Sequence, residues 1–176
     1  RLMVKLLDPR LGETVLDPAS GTGGFLVESY AHLAEQVRTV AERKTLQRGS
    51  IFGCEPKSLP YLLCQMNLLL HGLDAPDIDP GNALRHKLTD IGLRERVDVI
   101  LSNPPFGGEE EKGIQGNFPD DKQTSETALL FLQLIMRRLH RRASAAGRPA
   151  RAAVVVPNGT LFGDGVCARI KAELLR

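Results

Sequence analysis

The chain has 176 residues, 42% of them hydrophobic, and a formal net charge of +2. That is enough chain for one solid core, and too little charge to indicate nucleic-acid binding by overall charge alone. No apolar run approaches the roughly 18 residues of a membrane helix and no signal peptide opens the chain, so we expect a soluble, cytoplasmic protein without a membrane partner.

Short apolar runs alternate with longer segments of helical spacing along the chain. Strands are predicted at 14–17, 51–55, 77–79, 97–102 and 152–156, and the main helices at 24–47, 58–72 and 124–139. Ser58 and Thr124 are predicted helix caps. Strands that alternate with helices indicate an α/β fold with a doubly wound, Rossmann-like, mostly parallel sheet. We expect a single domain over residues 1–176.

A glycine-rich loop, DPASGTGGF at 17–25, follows the first predicted strand. Leu26 stands where a dinucleotide-binding G-x-G-x-x-G motif needs its third glycine, and the lysine of a P-loop is absent. Asp17 suits a cationic group such as an ammonium, and Glu55, at the end of the second strand, can accept from both ribose hydroxyls. Ammonium and ribose together point to S-adenosylmethionine, although the loop alone is also consistent with an ordinary strand-to-helix turn.

A second motif, NPPF at 103–106, follows the fourth predicted strand. The side-chain carbonyl of Asn103 and the carbonyl of Pro104, which Pro105 leaves without a competing local donor, offer two acceptors for an exocyclic amino group. Phe106 offers a face on which a planar ring can stack. Because carboxyl ends of parallel strands meet at one sheet edge, we expect a substrate site beside a cofactor site. Taken alone, Asn-Pro-Pro is also typical of a turn.

These two motifs, together with AVVVPNGTLF at 153–162, resemble the N6-adenine DNA methyltransferases, in particular the modification subunits of type I restriction-modification systems. The resemblance covers nearly the whole chain. It implies a class I methyltransferase sheet and methyl transfer from S-adenosyl-L-methionine to a flipped adenine of double-stranded DNA. It also implies a specificity subunit and, for restriction, a nuclease/translocase subunit as partners.

Relatives of that family carry an upstream cofactor motif and two final antiparallel strands that residues 1–176 lack, so the resemblance predicts a fragment truncated at both ends. Carried over residue by residue, it assigns cofactor binding to Asp17, Ser20, Gly21, Thr22, Gly23, Glu55 and Asn82. It assigns catalysis to Asn103, Pro104, Pro105 and Phe106. Relatives often have an acidic residue where Asn82 stands, and a plain Gly-Asn turn is the alternative there.

Two polar regions receive structural interpretations. The loop 107–123 is placed to order around the substrate or a partner, but taken in isolation it is expected to be solvated and mobile. A basic cluster is expected to be a solvated face rather than a DNA contact, and it consists of Arg137, Arg138, His140, Arg141, Arg142, Arg148 and Arg151. No residue spacing indicates a metal site, and the three cysteines are expected to be reduced.

Two other functions stay open from the residues. One is methylation of another planar amino or amide group, such as an RNA guanine or a protein glutamine. The other is a non-catalytic cofactor-binding or assembly role.

Overall fold

The computed structural model describes residues 1–175, so the expected truncation at Arg176 lies outside the described residues. Five strands form one parallel sheet in the order β3-β2-β1-β4-β5. They are β1 (Val15–Asp17), β2 (Ile51–Cys54), β3 (Asp77–Asp79), β4 (Val99–Ser102) and β5 (Arg151–Val154). The predicted doubly wound α/β fold is confirmed.

Helices lie on both faces of this sheet. They are α1 (Leu2–Leu7), α2 (Gly24–Ala34), α3 (Val40–Gln47), α4 (Ser58–Leu70), α5 (Lys112–Gln115), α6 (Thr127–Arg138), α7 (Asn158–Phe162) and α8 (Val166–Leu174). On one face, Leu26 and Leu33 of α2 and Leu68 of α4 pack against Val15 in the main core. On the other face, Ile135 of α6 packs against β1 and β4. No helix within residues 1–175 is long and apolar enough to span a bilayer.

The strand order places the two sequence motifs next to each other. Val15 of β1 pairs with Ile51 of β2 on one side and with Val99 of β4 on the other. The chain leaves β1 toward β2, but it leaves β4 toward β5, so their loops diverge from neighbouring strand ends. Such a switch point opens a crevice at the carboxyl edge of the sheet, which is where ligands bind in folds of this kind.

The single helix predicted at 24–47 is wrong, because the chain breaks it into α2 and α3. Thr39 begins α3 with a capping box: its hydroxyl accepts from the backbone N–H of Glu42 at 3.2 Å, and its own N–H donates to the Glu42 carboxylate at 2.8 Å. These reciprocal bonds satisfy two backbone donors that a helix start otherwise leaves unpaired.

The two predicted helix caps are also wrong. Ser58 is the first residue of α4, after an N-cap at Lys57 that makes no side-chain capping bond. Thr124 accepts from the N–H of Glu126 at 3.2 Å in the turn that precedes α6, which begins only at Thr127.

The basic cluster does not form one solvated face. The Arg151 guanidinium donates to both carboxylate oxygens of Glu13, at 3.0 and 2.8 Å, and Glu13 is fully buried. Arg148 donates to Asp8, and Arg137 donates to the Leu88 carbonyl at 2.9 Å. Part of the cluster therefore joins α1 and its following loop to the start of β5.

The loop after the NPPF motif is anchored rather than freely solvated. Glu109 and Glu126 form an isolated antiparallel bridge, and the N–H of Glu110 donates to the Ser125 carbonyl at 2.8 Å. Phe118, at the far end of the loop, is buried in a small core beside α6. The expectation of a wholly mobile loop is therefore wrong.

Candidate active site

The glycine-rich loop after β1 depends on two glycines with left-handed backbone. Gly21 has φ of 55° and Gly23 has φ of 87°. A Cβ at Gly23 would lie 2.8 Å from the Cys64 sulfur, whereas a Cβ at Gly21 would meet open space. Gly23 is therefore required by both backbone conformation and packing, and Gly21 leaves room for a ligand beside the loop.

Asp17 ends β1 as a buried acid, with 1% of its surface exposed. Its Oδ1 accepts from the N–H of Ala19 at 3.0 Å and from the hydroxyl of Ser102 at 2.9 Å. Burial raises the pKa of Asp17 to about 7; the two hydrogen bonds oppose that rise, and the negative charge of Glu55 adds to it. A nearby cationic ligand would favour the ionised form.

Glu55, just beyond β2, is tied to the glycine loop. One carboxylate oxygen accepts from the N–H of Gly21 at 3.0 Å, and the other accepts from the N–H of Lys57 at 2.8 Å. Ser20 ties the same loop to β2, since its N–H and its hydroxyl both donate to the Cys54 carbonyl. The loop and the end of β2 thus form one rigid wall.

Two adjoining cavities lie at this edge of the sheet. One has a volume of about 420 Å³, and its lining includes Gly21, Glu55, Asn82, Asn103, Pro105, Glu110 and Phe131. The other has a volume of about 360 Å³, and its lining includes Arg1, Asp17, Ser20, Gly21, Phe25 and Asn103. Since Ala19, Gly21 and Asn103 border both, the two cavities make one bent groove over the ends of β1 and β4.

Within the NPPF motif, only Asn103 and Pro105 line these cavities. The Asn103 side chain is exposed and makes no hydrogen bond to any described residue, so its amide is free to bind a ligand. Pro104 is buried, and Phe106 is 48% exposed and lines neither cavity.

The remaining predicted cofactor residues divide between the groove and its support. Asn82 lines the larger cavity, but its Oδ1 already accepts from the N–H of Leu84 at 2.9 Å, as in the alternative turn interpretation. Thr22 and Gly23 line neither cavity. Thr22 instead offers its carbonyl to the side chain of Asn67 at 2.8 Å.

Sequence reasoning missed several residues of the site. Phe131 of α6 and Glu110 of the loop after the NPPF motif line the larger cavity, and the Glu110 carboxylate accepts from the Thr127 hydroxyl at 3.3 Å. Ser102 contacts Asp17 from the next strand. The sequence shows that Ser102 precedes Asn103, but the contact of Ser102 with Asp17 becomes apparent only from the pairing of β1 with β4.

The cysteines and acids of the described residues present no metal chemistry. All three cysteines are free, and Cys54 and Cys64 are buried. Burial raises the pKa of both thiols to about 11, so both are neutral at pH 7. Residues 1–175 contain no group of three or more His, Cys, Asp or Glu side chains placed to hold a metal ion.

Comparison with known proteins gives concordant matches. A family model described as N-6 DNA methylase matches residues 1–176. The chain is 51% identical over 176 residues to the methylase subunit of the type I restriction enzyme EcoEI from Escherichia coli. The aligned region covers 99% of this chain and 34% of that protein. The chain thus spans about a third of the length of the relatives it matches.

Solved structures give the same result. A modification subunit of a putative type I restriction enzyme from Vibrio vulnificus is 67% identical and superposes with a TM-score of 0.92, over 98% of this chain and 36% of that one. A putative class I S-adenosylmethionine-dependent methyltransferase from Listeria monocytogenes, at 19% identity, superposes with a TM-score of 0.62 over 98% of this chain and 47% of that one. The second likeness confirms the predicted class I fold.

Proposed function

The chain belongs to the N-6 DNA methylase family, and from that membership we propose that it forms part of the catalytic domain of a site-specific DNA methyltransferase. The reaction is transfer of a methyl group from S-adenosylmethionine to the N6 amino group of a flipped adenine, within a type I restriction-modification system. The observation that carries this proposal is the bent groove, which the glycine loop and the NPPF motif border together.

The groove suits S-adenosylmethionine in shape and in chemistry. Glu55 in the larger cavity offers acceptors for ribose hydroxyls, and Phe131 offers an apolar wall for the adenine. The smaller cavity holds Asp17, whose carboxylate suits the ammonium of the methionine part. The open space at Gly21 lets the ligand pass between the two cavities close to the backbone.

The side-chain carbonyl of Asn103, which borders both cavities, would accept from the target amino group, and the carbonyl of Pro104, the next residue along the chain, would be its second acceptor. The two acceptors bind its two hydrogens and direct its lone pair toward the incoming methyl group. Extrusion of the adenine from the duplex costs a few kcal/mol. Stacking on the exposed ring of Phe106 would return about 1–3 kcal/mol of that cost.

S-adenosylmethionine, when bound, supplies a methyl group on a positively charged sulfur, which is a good leaving group. The residues of this chain therefore contribute alignment more than proton transfer, because a displacement of this kind needs the nucleophile and the methyl carbon in line. The rigid connection of the glycine loop to β2 and β4 supports that alignment.

The partners proposed for the whole protein are double-stranded DNA, a specificity subunit and a nuclease/translocase subunit. Arg148 and Arg151 of the basic cluster are engaged with Asp8 and Glu13, so these two arginines serve the fold rather than DNA. A separate specificity subunit is consistent with that arrangement.

The test is methyl transfer by the full-length protein, with and without its specificity subunit, from tritiated S-adenosylmethionine to DNA, RNA and protein. We expect label in DNA only, at the N6 position of adenine, and only with the specificity subunit present. Label in RNA or protein but not in DNA would overturn the proposal.

A further inference from the structure

Ser102 occupies the last position of β4, directly before Asn103, and is fully buried. Its hydroxyl donates to Oδ1 of Asp17 at 2.9 Å. A buried serine more often bonds to a nearby backbone carbonyl, as Ser20 does with Cys54. The hydroxyl of Ser102 instead joins the strand end that carries the NPPF motif to the acid that borders the smaller cavity.

The two oxygens of Asp17 have different surroundings. Oδ1 takes two donors, the N–H of Ala19 and the hydroxyl of Ser102. Oδ2 makes no hydrogen bond to any described residue, although Asp17 lines the smaller cavity. The donors on Oδ1 therefore fix the carboxylate in an orientation that leaves Oδ2 for a ligand.

We propose that Ser102 is a positioning residue for methyl transfer, which holds Asp17 ionised and oriented for the ammonium of S-adenosylmethionine and links it to Asn103. This inference rests on the proposed function and deepens it. Cofactor affinity then depends on a hydroxyl that touches neither the cofactor nor the DNA.

The electrostatic part of this role follows from the burial of Asp17. Because burial raises the pKa of Asp17 to about 7, a single donor decides how much of the carboxylate is ionised near neutral pH. Hydrogen bonds to a charged acceptor are the strong ones. Loss of the Ser102 hydroxyl therefore moves the ionisation of Asp17 to higher pH.

Three other charged or titratable groups lie near Asp17. Glu55 disfavours its ionisation from the end of β2, and the Cys64 thiol of α4 is neutral at pH 7. Arg1 borders the same cavity, but its guanidinium pairs with Glu28 at 3.0 Å. Each of these groups is unchanged by a substitution at Ser102.

The experiment is calorimetric titration of the full-length protein with S-adenosylmethionine at pH 6 and at pH 8.5, for wild type and Ser102→Ala. We expect the variant to bind roughly tenfold more weakly at pH 6 and within about twofold of wild type at pH 8.5, as for a midpoint moved by about one pH unit. Titration of the ligand ammonium affects both proteins equally, so it cancels in the ratio. An equal ratio at the two pH values would overturn the proposal.

Ser29→Ala is the matched control. Ser29 is a fully buried serine of α2 whose hydroxyl has no partner among the described residues. Its removal should leave the affinity and its pH dependence unchanged. If Ser102→Ala does not fold, Ser102→Cys, which keeps a weak donor, should give an intermediate pH effect; a wild-type profile for Ser102→Cys then counts against the proposal.

A double-mutant cycle separates this inference from the proposed function. In an Asp17→Asn background, Ser102→Ala should cause no further loss of affinity, because Ser102 acts through the charge of Asp17. Additive losses would contradict the inference and leave the methyltransferase assignment intact. No binding of S-adenosylmethionine by the wild type at either pH would instead contradict the proposed function.

Discussion

The carboxylate of Glu55 accepts the backbone N–H of Gly21 at 3.0 Å. This bond joins the end of β2 to the loop after β1, so the acid proposed to bind ribose also holds the glycine loop in place. Because the other carboxylate oxygen accepts from Lys57, each oxygen uses one lone pair on the protein and keeps one for a ligand.

We expect Glu55→Ala to weaken binding of S-adenosylmethionine by at least about tenfold, since it removes ribose acceptors and releases the Gly21 N–H. Calorimetry on the full-length protein measures this. Glu35→Ala, which removes an exposed carboxylate beyond the end of α2, is the control and should leave the affinity for S-adenosylmethionine unchanged. Unaltered affinity in Glu55→Ala would remove Glu55 from the site.

The catalytic assignment predicts a different pattern for Asn103→Ala. Because the free amide of Asn103 is proposed to align the target amino group, its loss should lower the methylation rate by at least about 100-fold. Affinity for S-adenosylmethionine should stay within about twofold of wild type. Single-turnover methylation of DNA by the complete complex measures the rate, and a rate near that of wild type would refute the assignment.

Much of this site was predictable from the sequence, because strand ends in a parallel sheet are ordered by topology. Asp17, Glu55 and Asn103 each follow a short apolar run, and a parallel arrangement brings all three to one edge. By contrast, the contact between Ser102 and Asp17 depends on which strands are neighbours. The sequence around either residue does not indicate that the two are in contact.

The break between α2 and α3 was not predicted, although the sequence carries a signal for it. The apolar spacing continues through Val37 and Val40 and favoured one long helix, whereas the capping box of Thr39 and Glu42 marks a new start. The engagement of Arg151 with Glu13 had no such signal, since the two residues are far apart in the sequence and meet only through packing.

The buried acid Asp17 predicts a pH-dependent cost to stability. Its pKa is raised to about 7 from an ordinary value of 3.8, so the folded state binds the proton more tightly than the unfolded state does. Ionisation therefore lowers stability as pH rises from about 4 to about 7, and the loss persists above that. Asp17→Asn cannot ionise, so its stability relative to wild type should rise by about 2.5 kcal/mol from pH 5 to pH 8.

Denaturant unfolding of the full-length protein at the two pH values measures this gain. The exposed Asp77→Asn, with the same change of charge, should show no pH-dependent difference. A pH-independent effect of Asp17→Asn would mean that Asp17 does not ionise in this range. The same variant should bind S-adenosylmethionine more weakly, so stability and affinity change in opposite directions.

The ion pair between Arg151 and Glu13 predicts a large structural effect away from the groove. Glu13 is fully buried, and Arg151→Ala would leave its carboxylate without its cationic partner. We expect Arg151→Ala to lower the free energy of unfolding by about 3–5 kcal/mol. Denaturant unfolding of the full-length protein measures this loss. Arg142→Ala, at an exposed arginine of the same cluster, should be nearly neutral; equal effects of the two variants would show that the pair is not buried in solution.

The glycine loop allows a test with adjacent residues. Gly23 has φ of 87°, and a Cβ there would lie 2.8 Å from the Cys64 sulfur, whereas Gly24 is the first residue of α2 and a Cβ there meets nothing within 4 Å. Gly23→Ala should therefore destabilise the full-length protein by about 1–3 kcal/mol. Gly24→Ala should be neutral or stabilise it by up to about 1 kcal/mol.

Thermal unfolding of the two alanine variants, together with Gly23→Ala/Cys64→Ala, separates the two causes. The effect of Gly23→Ala on stability is compared in wild type and in the Cys64→Ala background. Loss of the sulfur removes the contact but leaves the left-handed backbone, so we expect Gly23→Ala to cost less stability in that background, but not to become neutral. Full recovery would assign the requirement for glycine to packing alone, and equal stability of Gly23→Ala and Gly24→Ala would contradict the loop conformation itself.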